Sequence, residues 1–478
     1  MLSSLSKFVS FRTVSSNPLY TSDCLLGATY LTSLFKRLGA TVSLLPTTTP
    51  SGAPCNPIVF ARFTAPPPPP NTPNPKTILF YGHYDVIPAT SEDSWATDPF
   101  VLTGLNGYLY GRGVSDNKGP VLAAIYAASE LLLSRRLTAD LVFLIEGEEE
   151  CGSRGLFTAV RKHKHLFGTI DYVLLANSYW LDDTYPCLTY GLRGVVHAKV
   201  EISSPNTEDL HSGVDGSRLN REPTIDLVTL LSKLVDDDGS IQIPGFYDSV
   251  RPVTPSESAR YTAICEAFPT QDPAQLTQRL MAKWRYPSLT IHRVDVSGPA
   301  NATVIPRVAG AQISLRIVPD QGLDEIKAAL VTYLQASFAK LRSANVLKVA
   351  IEHEAEWWVG APGNKVFCVL EAAIGEVWGA DANSGGTSDP ETVATPADEA
   401  IGGVKVREKT VVKPLYIREG GSIPAARFLE MEFGALTAHL PCGQASDHAH
   451  LDNERLRLRN LVGCRLVLGY VFERLPWA

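Results

Sequence analysis

The sequence predicts an α/β protein: an open mixed or parallel sheet domain into which a small ferredoxin-like α+β domain is inserted. Three observations carry that prediction. At 478 residues the chain exceeds what one hydrophobic core ordinarily serves. Short runs of β-branched and aromatic residues each end in polar, metal-ligating residues, as in sheets that place their sites at the C-terminal strand edge. After Gly191-Leu-Arg-Gly194 the pattern changes from continuous apolar runs to alternation.

Taken in order, Thr77–Tyr81 reads as a buried strand that delivers His83. Gly119 to Arg136 reads as a helix, because Val121, Ile125, Ala128 and Leu132 share one face. Leu141–Ile145 is a second buried strand, ending at an acidic cluster, and Tyr172–Ala176 is a third, ending at Asn177. In the insert, Val195 to Ser203 alternates like a half-exposed strand and Pro223 to Val235 is helical. Strands at Leu289–Val296, Gln312–Val318 and Leu347–Glu352, with a helix from Leu323 to Arg342, complete two helices and about four strands. Trp357 and Trp358 are expected to mark the return to the first domain. The expected boundaries are 1–193 and 357–478 for the sheet domain and 194–356 for the insert. Pro66 to Pro70 reads as a polyproline surface loop, and Ala382 to Val404 as a flexible insertion.

The net charge of −7 and the pI near 5.9 argue against nucleic acid or an anionic membrane as the main partner. Eight scattered cysteines without a Cys-x-x-Cys pair indicate reduced thiols rather than a disulfide framework. The start, Met1 to Ser10, lacks the charged head and long apolar run of a signal peptide. No apolar run approaches the roughly 20 residues that span a bilayer. A cytoplasmic protein is expected.

Four motifs carry the chemistry: Phe80-Tyr-Gly-His-Tyr-Asp-Val-Ile-Pro88, Gly111-Arg-Gly-Val-Ser-Asp-Asn-Lys-Gly119, Glu146-Gly-Glu-Glu-Glu-Cys-Gly-Ser153 and Ser446-Asp-His-Ala-His-Leu-Asp-Asn-Glu454. His83 and Asp85, two apart on extended backbone, point the same way. His83 can then ligate a cation while Asp85 holds its other ring nitrogen. Asp116, in a glycine-bounded loop before a helix, can bridge two cations. Glu148, Glu149 and Glu150 would repel one another without a cation. Singly, each has an ordinary reading: a surface polar pair, a helix N-cap, a solvated acidic turn. Their occurrence together and in this order reverses the balance.

In that order and context the motifs resemble the dinuclear zinc peptidase family of carnosinases, aminoacylases and carboxypeptidase G, over nearly the whole chain. The resemblance implies two divalent cations, zinc before manganese, bridged by Asp116. His83 with position 177 completes one site, and Glu150 with His450 the other. It implies Glu149 as general base, with Asp85 supporting His83. His450 is preferred to His448 because it directly precedes Leu-Asp-Asn-Glu454. In the insert, which becomes a dimerisation (lid) domain, His211 resembles the residue that reaches the partner subunit's site and polarises the scissile carbonyl. Asn301 and Arg316 resemble residues that bind a substrate carboxylate, a task suited to arginine's planar fork. Gly420, Gly421 and Ser422 resemble the loop lining the pocket. A homodimer is implied.

One carboxylate is missing, because Asn177 stands where the family has aspartate. Two divalent ions bring four positive charges, and Asp116, Glu150 and a deprotonated water leave one uncompensated. A neutral amide binds zinc more weakly than a carboxylate, so the site containing Asn177 is expected to be weak or empty. Asp171 cannot substitute, since six strand residues away it lies about 20 Å off; Asp182 is less easily excluded. The variant Asn177-Ser-Tyr-Trp180, with Tyr190-Gly-Leu-Arg-Gly194, Lys283 to Leu289 and Pro441-Cys-Gly-Gln444, resembles one subgroup closely. It is the peptidase-like large subunit of the fungal alternative glutathione-degradation complex. That resemblance implies a class II amidotransferase-like partner and cleavage of glutathione's γ-glutamyl bond, with an upstream WD-repeat region common in the subgroup. Two other readings stay open: a freestanding Cys-Gly or X-Gly dipeptidase, and a degenerate scaffold or substrate-binding subunit.

Overall fold

The computed structural model describes residues 1–478 apart from 50, 68–74, 90–93, 218–220, 270, 380–411 and 478. The insertion expected at Ala382–Val404 and the end of the Pro66–Pro70 run lie outside those residues. The chain divides into two compact units. The first comprises Met1–Thr189, Ala361–Tyr416 and Leu429–Ala478, and the second Tyr190–Gly360 and Ile417–Phe428. Trp357 and Trp358 therefore fall in the second unit rather than at the return. The indole of Trp357 donates to Gln321 O, and Trp358 pairs with Leu192, both within that unit.

The first unit is built on a mixed sheet. Its centre is four parallel strands side by side: Asp140–Glu146, Thr77–His83, Tyr172–Ala176 and Leu436–Leu440. Thr41–Thr48 and Pro54–Phe63 extend it antiparallel at one edge. Every residue of Thr77–His83 is buried, as expected for a parallel strand covered on both faces. Helices Thr21–Arg37, Lys118–Leu133 and Leu458–Arg474 supply aliphatic cover. The aromatic centre is Phe143, whose ring lies 5.2, 5.7 and 5.4 Å from those of Phe35, Phe63 and Phe80. Truncating such a ring to alanine removes about 3–5 kcal/mol. Thr41–Thr48, Pro54–Phe63 and Leu436–Leu440 are strands that the apolar pattern did not reveal. No helix among the described residues is long and apolar enough to cross a membrane.

The second unit holds a four-stranded antiparallel sheet in the order Ser288–Val296, Val308–Ile317, Gly194–Ser203, Val346–Ala355. With helices Pro223–Leu231 and Leu323–Ala339 this is the β-α-β-β-α-β arrangement of a ferredoxin-like layer. Alternation sorts the faces. Val196, Ala198, Val200 and Ile202 bury against Leu227, Leu230, Leu330 and Leu334, while His197, Lys199 and Glu201 point the other way. The count of two helices needs correcting, because Pro255–Ala267 and Pro273–Trp284 form a further pair. Both open on a side-chain cap followed by proline: Thr254 accepts from Glu257 N, and Asp272 from Gln275 N.

Candidate metal centre

The four parallel strands end together, so His83, Glu146, Asn177 and the loop after Leu440 emerge at one sheet edge. One ligand atom each of His83, Asp116 and Glu150 lies within 4.8 Å of the others. His83 Nε2 is 3.1 Å from Asp116 Oδ1, and His450 Nε2 is 3.1 Å from Asp116 Oδ2 and 3.2 Å from Glu150 Oε2. Asp116 thus presents one oxygen to each imidazole, the disposition of a bridging carboxylate. Two imidazoles and two carboxylates at this spacing suit zinc's preference for nitrogen and oxygen donors. His448 and His450 are both exposed, and it is His450 that reaches Asp116 and Glu150.

Charge within the cluster is mutually adjusted. Burial pushes Asp116 up, but hydrogen bonds from His450 and His83 outweigh it and hold the carboxyl well below its usual range. Asp116 and Glu150 in turn raise His450 to about 11. Burial acts to lower His83, yet Glu149, Asp116 and Asp85 together lift it well above the ordinary imidazole value. Burial raises Glu149 and Glu150, and His83 or His450 only partly opposes it. The imidazoles of His83 and His450, held in the protonated form by these carboxylates, would each give up a proton to ligate a divalent cation.

The three consecutive glutamates separate by role. Glu148 turns away, accepting from Asn56 N at 2.9 Å and Arg154 Nε at 2.8 Å. Glu150 faces His450, and the Glu149 carboxylate has no hydrogen-bond partner among the described residues. Asp85 is fully buried. Its carboxylate accepts from Glu149 N at 3.2 Å and Glu150 N at 3.0 Å, and Oδ1 lies 3.5 Å from His83 Nδ1. Nδ1 also lies 3.1 Å from Asp85 O. A proton kept on Nδ1 by Asp85 would leave Nε2 as the ligating nitrogen once a cation displaced the proton it shares with Asp116.

Asn177 is engaged by its neighbours. Its amide oxygen accepts from Ser178 N at 2.5 Å, and its carbonyl accepts from His439 Nε2 at 2.9 Å. Asp182 caps a turn, accepting from Thr184 N and Tyr185 N.

Glu454 ends the fourth motif, and its position there assigns it no task. Buried, it accepts from Arg112 Nη1, Gly113 N, Ser115 N, Ser115 Oγ and Asp116 N, all at 2.8–3.1 Å. One carboxylate therefore shapes the whole loop that presents Asp116. The signal available was an acidic residue four positions beyond His450. Gly119 closes the same loop, because a Cβ there would sit 2.2 Å from Val114 O.

Within the second unit, the remaining expected residues form two clusters. His211 pairs with Val304 in a two-residue ladder, and its Nδ1 accepts from Gly213 N at 3.2 Å. Asn301 lies in the same loop pair, where Oδ1 accepts from Thr303 N and Thr303 Oγ1, each at 2.9 Å. Arg316 Nη1 donates to Ser422 Oγ at 3.0 Å, and Ser422 Oγ donates to Arg193 O at 2.6 Å. Arg193 donates to Gly420 O, so the Gly420–Ser422 loop is held beside Arg316. A Cβ on Gly420 would meet Arg193 Nη2 at 2.8 Å.

Two imidazoles and one further carboxylate about a shared aspartate, with an unengaged glutamate beside them at a parallel sheet edge, form a cluster of groups able to ligate metal. The chain belongs to peptidase family M20/M25/M40, whose profile matches residues 79–473. It is 40% identical to the "Probable di- and tripeptidase DUG2" of Saccharomyces cerevisiae over 99% of its own length. It spans only 50% of that protein. It is 36% identical to the Cys-Gly metallodipeptidase DUG1 of Candida albicans, covering 87% of this chain and 81% of that one. Among solved structures, the dipeptidase Dug1p of Saccharomyces cerevisiae superposes with a TM-score of 0.79 at 30% identity, covering 100% of this chain and 96% of that one.

Proposed function

We propose that the chain hydrolyses small peptides with divalent cations held by His83, Asp116, Glu150 and His450. The cleavage we favour is of glutathione's γ-glutamyl bond, in complex with a class II amidotransferase-like subunit. The observation that carries the hydrolase reading is Asp116 shared between His83 and His450, with Glu149 unengaged beside it. A cation bound there lowers the pKa of water and polarises a carbonyl.

Glu149 takes the proton of the attacking water and returns it to the leaving amine. Burial, with Glu150, Asp116 and Asp85 nearby, raises its pKa above the usual carboxylate value. Asp85 fixes the His83 tautomer. His211, acting on the neighbouring copy of a homodimer, donates to the developing oxyanion. Arg316, oriented by Ser422, takes the substrate carboxylate, with Asn301 and the Gly420–Gly421 backbone as further contacts. All eight cysteines are free, consistent with a reducing cytoplasm.

Two observations bear on the competing readings. The names of the relatives, a di- and tripeptidase and a Cys-Gly metallodipeptidase, support a di- or tripeptide substrate. Asn177, engaged by Ser178 N, favours the scaffold.

Glutamate release from glutathione, and glycine release from Cys-Gly, by the purified chain with zinc or manganese separate these readings. The reactions are run alone and with the amidotransferase-like subunit, for parent and Glu149→Ala. We expect Glu149→Ala to lose about 10²- to 10⁴-fold in kcat. Undiminished activity of the assembled complex carrying that change would favour the scaffold.

A further inference from the structure

The N-terminal segment enters the metal centre at a point no motif marks. After the helix Leu2–Val9, residues 11–15 run beside the His83-Tyr-Asp-Val86 turn. Thr13 Oγ1 donates to Tyr84 O at 2.7 Å, Val86 N donates to Thr13 O at 2.9 Å, and Val14 forms a parallel bridge with Val86. On the other side, Lys118 Nζ donates to Phe8 O at 3.1 Å and Phe11 O at 2.9 Å. The segment is thereby held between the loop carrying Asp85 and the start of the helix that follows Asp116. Its last member, Ser15, donates from Oγ to Asp85 Oδ2 at 2.7 Å.

We infer that Ser15 is a positioning residue for the metal centre, acting through Asp85 on His83. A fully buried carboxylate is stable only when hydrogen-bonded. Asp85 Oδ1 has Glu149 N and His83 on its side, whereas Oδ2 has Glu150 N at 3.0 Å and Ser15 Oγ at 2.7 Å. Both backbone donors belong to the acidic turn itself. Ser15 is the side-chain donor from outside it, and so ties the rotamer of Asp85 to a separate element. Because the Ser15 proton is committed to Asp85, the 3.2 Å contact with Cys151 Sγ runs the other way, with the thiol donating to Ser15 Oγ. The result is an ordered relay of Cys151, Ser15, Asp85 and His83, whose last member presents Nε2 to Asp116. Partners of this kind, one shell removed from a metal, typically govern 10- to 100-fold in affinity.

The inference rests on the metal-centre reading, and its test is built to separate the two. Metal-free parent, Ser15→Ala and Ser15→Thr are titrated with zinc against a chromophoric chelator, and their metal-free melting temperatures and peptidase kinetics are recorded. We expect Ser15→Ala to bind zinc about 10-fold or more weakly, with kcat reduced and KM for the peptide nearly unchanged. Ser15→Thr, which keeps the hydroxyl, should stay near the parent. Parent affinity in Ser15→Ala overturns the inference alone, even if that variant melts lower without metal. So does a Ser15→Thr chain as weak in zinc as Ser15→Ala. A parent chain that binds no zinc removes the metal-centre reading and this inference together.

Discussion

Asn177 and Glu454 show how much one side chain decides at the metal centre. Asn177 keeps the shape of aspartate but brings no charge, and Ser178 N already engages its oxygen. Restoring the charge by Asn177→Asp should tighten the site shared with His83. After dialysis against buffered zinc, metal analysis should rise from about one ion per chain toward about two. Two equally tight ions in the parent would refute the unequal-site argument. Glu454 acts on geometry instead, because five donors converge on it and only a carboxylate satisfies them all. The sequence made His83, Asp116, Glu150 and His450 legible because each lies in a motif whose neighbours report its context. Ser15 was not legible, since the bond that matters joins residues 70 positions apart.

At the scale of elements, buried polar groups test whether strands and helices are held as described. Glu146 ends its strand fully enclosed, accepting from Tyr81 OH at 2.5 Å and Ser153 Oγ at 2.8 Å, and burial raises it from 4.5 to about 8. The folded chain therefore holds this proton more tightly than the unfolded one. Its stabilising effect is complete below about pH 4.5 and is lost as the pH rises through about 8. Melting temperature should fall over that window in the parent and fall less in Glu146→Gln; parallel curves would contradict the assignment. In the second unit, buried Glu257 faces Arg285 Nε at 3.3 Å and Arg418 Nη2 at 2.9 Å. Glu257→Ala leaves two enclosed guanidinium groups with no anion and should cost about 3–5 kcal/mol in denaturant unfolding. A loss below about 1 kcal/mol would show that the pair is solvated. That glutamate sits on the helix Pro255–Ala267, which the apolar pattern did not reveal. Its sequence, with serine, arginine and threonine between few apolar residues, has almost no apolar face. The Thr254-Pro255 and Asp272-Pro273 pairs were the usable signals, because cap and proline act locally whatever the face packs on. Three of the four parallel strands were legible for the opposite reason, because burial on both faces makes each an unbroken apolar run, whereas Thr437 and His439 interrupt Leu436–Leu440.

For the whole molecule, the proposed division of labour between copies gives a result that no rearrangement within one chain would mimic. If His211 serves the partner subunit's chemistry, Glu149→Ala and His211→Ala damage different sites of a dimer. Each pure variant would be inactive in both of its sites. In a mixed dimer, the site with intact Glu149 on the His211→Ala chain receives His211 from the Glu149→Ala chain. That site is whole, while the other lacks both groups. Random reassortment of equal amounts makes half of the dimers mixed, each with one working site of two. Activity should then return to about a quarter of the parent level. His211 suits such a role, being exposed and set on a ladder with Val304 that fixes its backbone. Mixing without recovery, when reassortment is verified by mass, would place His211 in its own chain's site or outside catalysis. Recovery would also establish the homodimer in solution, since a monomer cannot lend a histidine.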